Sequence, residues 1–308
     1  EILIGLVGSE MCIRDSKYRS VVSTPVEIVK YMVKNTLYPI CRGKKPDEIK
    51  KLQIADIACG SGVFLEETYQ FLVDYCVGWY LKYEPEYLLE LNNGKKKLPL
   101  TDKKDILTKC IYGVDIDAHA VEVSKFSLLI KLIEDETPAS VRECVPILPD
   151  LSSNIKNGNS LISREDIDSK DISFELLRNI KPFQWNDINE GNNFNVIIGN
   201  PPYVKTEDIH TLESKCEFDI YKRKYKTAYK QFDKYFLFVE KAVELLKQDG
   251  KICYIIPNKF YKIGAGQELR RLLSAHVTQL DDFGDKQLFP DKTIYSSIIT
   301  IGKNISRE

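Results

Sequence analysis

Near the middle of the chain, an apolar segment runs directly into a pair of prolines: Phe194-Asn195-Val196-Ile197-Ile198-Gly199-Asn200-Pro201-Pro202-Tyr203. The short apolar run predicts a buried β-strand. Each proline fixes its own φ and lacks an N–H, and the helical region is disfavoured for a residue that precedes a proline. We therefore expect the chain to leave the strand as a rigid, extended loop.

This loop carries groups that can hold a planar amine. The side-chain oxygen of Asn200 and the backbone carbonyls accept the protons of an NH₂ group, and the ring of Tyr203 can stack on its flat face. The arrangement favours methylation of an exocyclic amine. The alternative is that Pro201 and Pro202 merely end a buried strand and that Tyr203 packs on the core.

A second candidate site is the turn Asp56-Ile57-Ala58-Cys59-Gly60-Ser61-Gly62, which ends a short apolar strand beginning at Leu52. The turn is similar to a nucleotide-binding loop, but Leu65 replaces the third glycine, and the Asp56 carboxylate would repel a pyrophosphate. A carboxylate suits a cationic ligand, so S-adenosylmethionine, with an ammonium, a sulfonium and no phosphate, fits better than NAD. Asp115, near the end of the next strand, is the candidate acid for the ribose, and a plain strand-end acid is the alternative.

The order of the segments predicts the fold class. We expect strands at 52–58, 111–117, 159–162, 194–199, 251–256, 278–283 and 294–301, with helices between most of them, two aromatic-rich helices over 64–92 and a polar excursion over 204–230. Strands that alternate with helices indicate an α/β protein with a doubly wound, mostly parallel sheet. Ligands bind such a sheet at the carboxyl ends of strands, where the strand order reverses. The loops after the first and fourth strands should flank that point, so the two candidate sites should share one crevice.

Composition limits the function classes. Of the 308 residues, 43% are apolar, and the formal net charge is −1, so the chain can bury a core but has no overall basic field to attract nucleic acid. Contact with DNA must then come from local patches. The eight cysteines form no CxxC pair and the three histidines are scattered, which indicates a reducing cytoplasm and no structural metal. No stretch reaches the roughly 18 apolar residues of a membrane span.

The N-terminal region divides into two parts. Residues 1–16 are similar to a translated sequencing adapter, so we exclude them from fold reasoning and expect the natural protein to extend further. Thr24-Pro25 then predicts a helix with Thr24 as N-cap and proline at its first position.

Together these segments, over about residues 18–303, resemble the N6-adenine DNA methyltransferases of restriction-modification and phage-defence systems, in the group whose cofactor loop precedes the Asn-Pro-Pro-Tyr motif. The resemblance implies a Rossmann-like fold with a seven-stranded sheet. It divides the chain into a helical element at 17–50 that closes over the methionine end of the cofactor and a catalytic domain at 51–308 with a helical insertion at 64–104. It also implies double-stranded DNA as partner, a target-recognition domain or specificity subunit missing from this chain, and an N-terminal nuclease domain elsewhere in the parent protein.

The resemblance assigns roles to particular residues. Asn200, Pro201, Pro202 and Tyr203 would be catalytic, and Phe289 would be a second aromatic against a flipped base unless it is a core residue. The residues that it assigns to the cofactor are Thr24, Pro25, Asp56, Ala58, Cys59, Gly60, Ser61, Gly62, Asp115, Ile116, Asn159 and Ser160. Asn159 departs from the family, because many relatives have aspartate there.

Other interpretations stay open at this stage. Lys222, Arg223, Lys224 and Lys226 alternate with tyrosines and could line DNA phosphates, or could belong to a charged surface helix. The amine could belong to ribosomal RNA or to a protein glutamine amide, and the chain could be a cofactor-binding module of a larger complex without its own activity. A nuclease site at 46–50 is disfavoured, because its acids and lysine are adjacent in sequence and not spread over neighbouring strands.

Overall fold

The computed structural model describes residues 23–91, 93–137, 146–168, 173–289 and 294–303. The adapter-like residues 1–16 lie outside these ranges. The helices are α1 (Val26–Cys41), α2 (Pro46–Ile49), α3 (Val63–Tyr83), α4 (Leu100–Cys110), α5 (Ala118–Ile133), α6 (Phe174–Ile180), α7 (Thr206–Leu212), α8 (Lys215–Lys224), α9 (Lys234–Leu245) and α10 (Gln267–His276). The strands are β1 (Ile54–Asp56), β2 (Leu89–Glu90), β3 (Lys96–Lys97), β4 (Ile111–Asp115), β5 (Ile155–Asn157), β6 (Phe194–Gly199), β7 (Leu246–Pro257), β8 (Val277–Gln287) and β9 (Tyr295–Gly302).

The predicted sheet is confirmed. Within the described ranges, seven strands form one sheet in the order β5-β4-β1-β6-β7-β9-β8. The pairs from β5 to β7 are parallel, and β9 is antiparallel to both β7 and β8. The chain runs outward from β1 through β4 to β5 and then returns to place β6 beside β1. The strand order therefore reverses between β1 and β6. The loops that follow these two strands lie side by side at the carboxyl ends of the parallel strands.

Helices cover both faces of the sheet, because alternate residues of a buried strand point to opposite sides. On β6, Val196 and Ile198 pack in a core that includes residues of α1, α3, α4 and α5. Ile197 between them packs in a second core with α8, α9 and α10. All three side chains are fully buried. The doubly wound α/β prediction is confirmed. None of the helices in the described part of the chain has the length and apolar character that a bilayer crossing requires.

The insertion at 64–104 differs from the prediction. It was expected to be helical, with two aromatic-rich helices over 64–92, but the single helix α3 runs to Tyr83. Glu84, which precedes Pro85, has φ −146° and ψ 62°, because a residue before proline is pushed out of the helical region. The chain then forms an antiparallel hairpin of β2 and β3 before α4 begins.

Two further boundaries also differ. The third strand is β5 at Ile155–Asn157 and not 159–162, because Asn159 and Ser160 use their side chains in a turn described below. The polar excursion at 204–230 contains two helices, α7 and α8. A capping box, in which Ser214 and Glu217 satisfy each other's backbone N–H groups, starts α8.

Candidate active site

Asn200 leaves the end of β6 and meets a residue from the other end of the chain. Its side-chain Nδ2 donates a hydrogen bond of 3.0 Å to Oγ1 of Thr24, which is 8% exposed. The prediction that Thr24 caps the following helix is wrong. Pro25 occupies the N-cap position with no side-chain cap bond, so α1 begins one residue later than expected and leaves the Thr24 hydroxyl to Asn200.

Tyr203 is held in a fixed position by β7. Its hydroxyl donates a 3.0 Å hydrogen bond to the carbonyl oxygen of Ile255, and its ring lies edge-on to Tyr235, with the ring centres 6.0 Å apart. The ring is partly exposed, whereas Pro201 is buried. Burial raises the pKa of the Tyr203 phenol well above its usual value, so the hydroxyl stays protonated as a donor. The loop thus presents an oriented ring beside the Asn200 amide.

Asp56 at the end of β1 lies directly against the backbone before Asn200. A side chain on Gly199 would place its Cβ 2.5 Å from Oδ1 of Asp56, so the carboxylate occupies the space that this glycine leaves free. The same oxygen accepts a 3.0 Å hydrogen bond from the N–H of Ala58. Burial raises the pKa of the Asp56 carboxyl to about 8, the Ala58 N–H opposes the shift, and the negative charge of Asp115 adds to it. A buried carboxyl group beside a second, partly exposed carboxylate favours a cationic ligand.

Both glycines of the predicted cofactor loop have positive φ, a region that residues with a side chain adopt less readily. Gly60 has φ +52°, and Gly62 has φ +91°. A Cβ on Gly62 would also lie 2.4 Å from Oγ of Ser124 in α5, so the loop and this helix are in close contact. Cys59 in the same loop is buried, and its N–H donates to Val114 of β4 at 3.1 Å.

Asp115, the predicted ribose acid, closes the other side of this loop. Its Oδ2 accepts a 2.8 Å hydrogen bond from the N–H of Gly60, and its Oδ1 accepts a 2.9 Å bond from the N–H of Asp117. Contact of this carboxylate with ribose hydroxyls stays a prediction. The next residue, Ile116, is 43% exposed, and its contact with a cofactor stays a prediction.

Asn159 and Ser160 form a buried turn after β5. Oδ1 of Asn159 accepts from the N–H of Leu161 at 3.1 Å, and its Nδ2 lies 3.5 Å from Oε1 of Glu217 in α8. Ser160 donates from Oγ to the carbonyl of Ile57 in the cofactor loop at 2.6 Å. Both residues are at most 4% exposed. Through the bond from Ser160 to Ile57, the turn therefore supports the cofactor loop. Contact of the Asn159 and Ser160 side chains with a cofactor stays a prediction.

Phe289 is 1% exposed and packs in the core on the α1 side of the sheet. Contact with a substrate base would require its side chain to leave that core. The core interpretation, left open from the sequence, describes its position in this structure.

Three of the four basic residues predicted to contact DNA have partners within the protein. Lys222 donates to the carbonyls of Ala228 and Lys230, each at 2.9 Å. Arg223 and Lys224 contact Asp166 through its carbonyl and its carboxylate. Lys226 is exposed. A role of these residues at DNA stays a prediction.

Sequence reasoning missed two contributors to the site. Gly199 was quoted only as the end of a strand, and nothing in the sequence signalled that Asp56 fills its place. Tyr254 in β7 pairs with Gly199, and it is 1% exposed. Burial, and to a smaller extent the charge of Asp56, raises the pKa of its phenol. Within the described ranges, no group of three or more His, Cys, Asp or Glu side chains is placed to hold a metal ion.

Comparison with known proteins identifies the family. A model of the Eco57I restriction-modification methylase family matches residues 109–289. The chain is 43% identical over 287 residues to the type II restriction enzyme and methyltransferase RM.Eco57I of Escherichia coli, which covers 92% of this chain and 28% of that protein. It is 23% identical to the adenine-specific methyltransferase PglX of Streptomyces coelicolor over 87% of this chain and 22% of the relative.

A solved structure extends the comparison to the fold. The type ISP restriction-modification enzyme LlaBIII superposes with a TM-score of 0.62 at 16% identity, over 92% of this chain and 19% of that enzyme. This likeness agrees with the α/β sheet described above. The family match covers more than half of the 308 residues and includes the Asn-Pro-Pro-Tyr loop and Asp115. The chain therefore belongs to the Eco57I restriction-modification methylase family.

Proposed function

We propose that this chain transfers a methyl group from S-adenosylmethionine to N6 of an adenine that has been rotated out of duplex DNA. The observation that carries the proposal is the contact of Asp56 with Gly199. It joins a loop suited to a cationic cofactor to a loop suited to a planar amine, at the point where the strand order reverses. The family and the name of PglX, an adenine-specific methyltransferase, support adenine as the base.

The residues of the first loop fit S-adenosylmethionine. The buried Asp56 carboxyl, with its pKa raised to about 8 by burial, is costly to ionise alone and would be stabilised by an ammonium group. Asp115 at the end of β4 would accept hydrogen bonds from the ribose hydroxyls. When bound, the cofactor supplies an electrophilic methyl group on a sulfonium.

Asn200 and Pro201 would activate the amine. The lone pair of N6 is delocalised into the adenine ring, which makes the amine a weak nucleophile. Oδ1 of Asn200 and the carbonyl oxygen of Pro201 would each accept a hydrogen bond from one N–H group of the amine. These two hydrogen bonds would favour a tetrahedral nitrogen. They would also stabilise the positive charge that develops on N6. No covalent enzyme intermediate is needed.

Tyr203 would hold the rotated base. Rotation of a base out of the duplex costs a few kcal/mol. Stacking on an aromatic ring contributes about 1–3 kcal/mol per base, which offsets much of this cost. The hydrogen bond from Tyr203 to Ile255 keeps the ring in place before the base arrives.

The proposal includes partners. LlaBIII, a structural relative, was solved bound to DNA, which supports duplex DNA as the partner here. A target-recognition domain or specificity subunit would read the sequence, and a nuclease domain would accompany the methyltransferase in the parent protein. Lys226 would contact the phosphate backbone.

The substrate class is testable directly. The protein is incubated with S-adenosylmethionine labelled in the methyl group and, in separate reactions, with unmethylated duplex DNA, ribosomal RNA or a translation release factor. We expect label in DNA, recovered as N6-methyladenine. Label only in RNA or in protein would assign the same amine-holding loop to a different substrate and refute the proposal.

A further inference from the structure

Four lysines lie together beyond the carboxyl ends of β6 and β7. We call them the rim lysines: Lys205, Lys230, Lys259 and Lys262. Lys205 pairs with Asp233 in an isolated antiparallel bridge, and Nζ of Lys259 lies 2.7 Å from Oδ2 of the same aspartate. The backbone N–H of Lys262 donates to the carbonyl oxygen of Lys259 at 3.1 Å. Asp233 and the turn after β7 therefore bring three of the four together.

The fourth rim lysine, Lys230, approaches the turn after β7 from the segment that precedes α9. Its Nζ lies 3.7 Å from the position that a Cβ on Gly264 would take. Lys205, Lys230 and Lys262 are exposed, and the side chain of Lys259 is 40% exposed. The four ammonium groups are therefore accessible to a ligand in solution.

The rim lysines border the loop that is proposed to hold the amine. Lys205 lies two residues after Tyr203, so the Cα atoms of these residues are about 7 Å apart at most. Lys259 follows the end of β7, and the carbonyl oxygen of Ile255 in that strand accepts the hydrogen bond from Tyr203. The rim lysines thus stand beside the ring on which a base would stack.

The charge of the rim lysines is only partly balanced within the protein. Asp233 is 4% exposed and faces Lys259. An ammonium group has three N–H donors, so one bond to Asp233 does not exhaust its donors. Other acids near the rim lysines are Glu207 and Asp208 in α7 and Asp282 in β8. The positive charge is therefore local, which suits a chain whose net charge is −1 and which can attract a polyanion only through a patch.

The position of this patch fits one part of a nucleic acid. A nucleotide that is rotated out of a duplex stays bonded to the phosphates on both sides of its sugar. Those phosphates must lie at the mouth of the pocket that holds the base, and lysines are common ligands of DNA phosphates. We propose, resting on the proposed function, that the rim lysines bind the phosphates that flank the rotated adenine in duplex DNA.

The proposal is tested by DNA binding without turnover. The double variant Lys205→Gln/Lys262→Gln removes two exposed charges and leaves the pair of Lys259 with Asp233 in place. Fluorescence anisotropy with a DNA duplex that contains adenine is measured between 50 and 200 mM salt. Each lost phosphate contact should lower the slope of log binding constant against log salt concentration by about 0.9. The loss of affinity over this range should therefore be about twelvefold smaller in the double variant than in the unsubstituted chain.

A matched control removes the same charge elsewhere. Lys51→Gln/Lys109→Gln changes two exposed lysines that precede β1 and β4, at the amino ends of these strands, and should leave the slope unchanged. Equal changes in the two double variants, an unchanged slope in Lys205→Gln/Lys262→Gln, or no measurable binding of DNA at 50 mM salt would overturn the inference. A larger change with duplex RNA than with duplex DNA would assign the rim lysines to RNA and would also overturn it.

The proposed function can fail separately from this inference. Methyl transfer to DNA is measured on the unsubstituted chain with labelled S-adenosylmethionine. Labelled N6-methyladenine together with an unchanged salt slope in Lys205→Gln/Lys262→Gln would overturn the role of the rim lysines alone. A lowered slope without labelled N6-methyladenine would keep the DNA-binding surface and refute the proposed methyl transfer.

Discussion

Gly199 is a residue whose importance lies in the side chain that it lacks. A Cβ at this position would lie 2.5 Å from Oδ1 and 2.7 Å from Cγ of Asp56. Asp56 belongs to a central strand and is 2% exposed, so it has little room to withdraw. The glycine is therefore required for the contact between the two halves of the proposed site.

We predict that Gly199→Ala lowers the free energy of unfolding by about 1–3 kcal/mol, the usual cost of overpacking a core, and weakens binding of S-adenosylhomocysteine. Chemical denaturation and titration calorimetry measure the two effects. Gly78→Ala is the matched control, because a Cβ there meets no atom within 4 Å and the residue lies within α3. That control should stabilise the protein by roughly 0.5–1 kcal/mol. Equal stabilisation by both variants would contradict the close contact.

Asp56 makes a prediction about pH. The pKa of its carboxyl in the folded protein is about 8, and burial is the main cause. An unfolded aspartate has a pKa of about 4. Between these values the folded protein keeps a proton that the unfolded chain releases, so the stabilisation is present at low pH and is lost as pH rises through about 8.

The free energy of unfolding of the unsubstituted chain should therefore fall, relative to that of the Asp56→Asn variant, as pH is raised from 5 to 8. The slope should approach roughly 1 kcal/mol per pH unit, since one proton corresponds to about 1.4 kcal/mol per unit at most. Urea denaturation at a series of pH values measures both proteins. A difference that is flat over this range would show that Asp56 is ionised when buried.

At the scale of elements, α8 shows how an apparent basic patch is used within the protein. Lys222 satisfies two backbone carbonyls after the helix and lies 5.1 Å from the centre of the Phe232 ring. Burial lowers the pKa of its ammonium group. Lys226 follows the helix and is exposed, and its backbone N–H donates to Oε1 of Glu240 at 3.1 Å.

We predict that Lys226→Gln lowers the slope of log binding constant against log salt concentration by about 0.9, the value for one phosphate contact on duplex DNA. Lys222→Gln should lower the free energy of unfolding by about 1 kcal/mol instead. Fluorescence anisotropy with a DNA duplex at several salt concentrations measures the slope. Lys51→Gln is the control. This exposed lysine precedes β1 and so lies at the amino end of that strand, whereas the two candidate loops lie at the carboxyl ends. An unchanged slope for Lys226→Gln would remove this residue from the DNA interface.

The elements also show which features the sequence pattern can predict. Periodicity located β4 and β6 closely, because each is a clear apolar run that ends in a turn or loop. It misplaced β5, since the side chains of Asn159 and Ser160 bind local backbone groups and form a turn. It also missed the helices within 204–230, where charged residues on the solvent side hide the buried Ile220 and Tyr221.

The features of the candidate site also divide into those that the sequence pattern predicts and those that it does not. The motif residues could be predicted because their chemistry is local: prolines stiffen a loop, and glycines permit positive φ. The contacts between Thr24 and Asn200 and between Asp56 and Gly199 join distant segments, so no local pattern reports them. The contact of Asp56 with Gly199 follows from the pairing of β1 with β6, and that of Thr24 with Asn200 follows from the packing of α1 on the sheet.

At the scale of the whole molecule, the sheet brings two independent loops together. The cofactor loop follows β1, the amine-holding loop follows β6, and these strands are neighbours. Neither loop alone defines a methyltransferase, because a glycine-rich turn binds many ligands and a proline pair can simply end a strand. Because both loops lie at the carboxyl ends of neighbouring strands, the two weak signals together indicate one proposed site.

The central claim is that Asn200 holds the adenine amine during transfer. The most direct measurement compares the natural protein with Asn200→Ala, using labelled S-adenosylmethionine, duplex DNA and mass spectrometry of the digested nucleosides, with S-adenosylhomocysteine affinity measured for both. The account predicts labelled N6-methyladenine from the natural protein and a loss of at least about 100-fold in Asn200→Ala, with cofactor affinity retained. Near-normal methyl transfer by Asn200→Ala, or label found on cytosine, would contradict it.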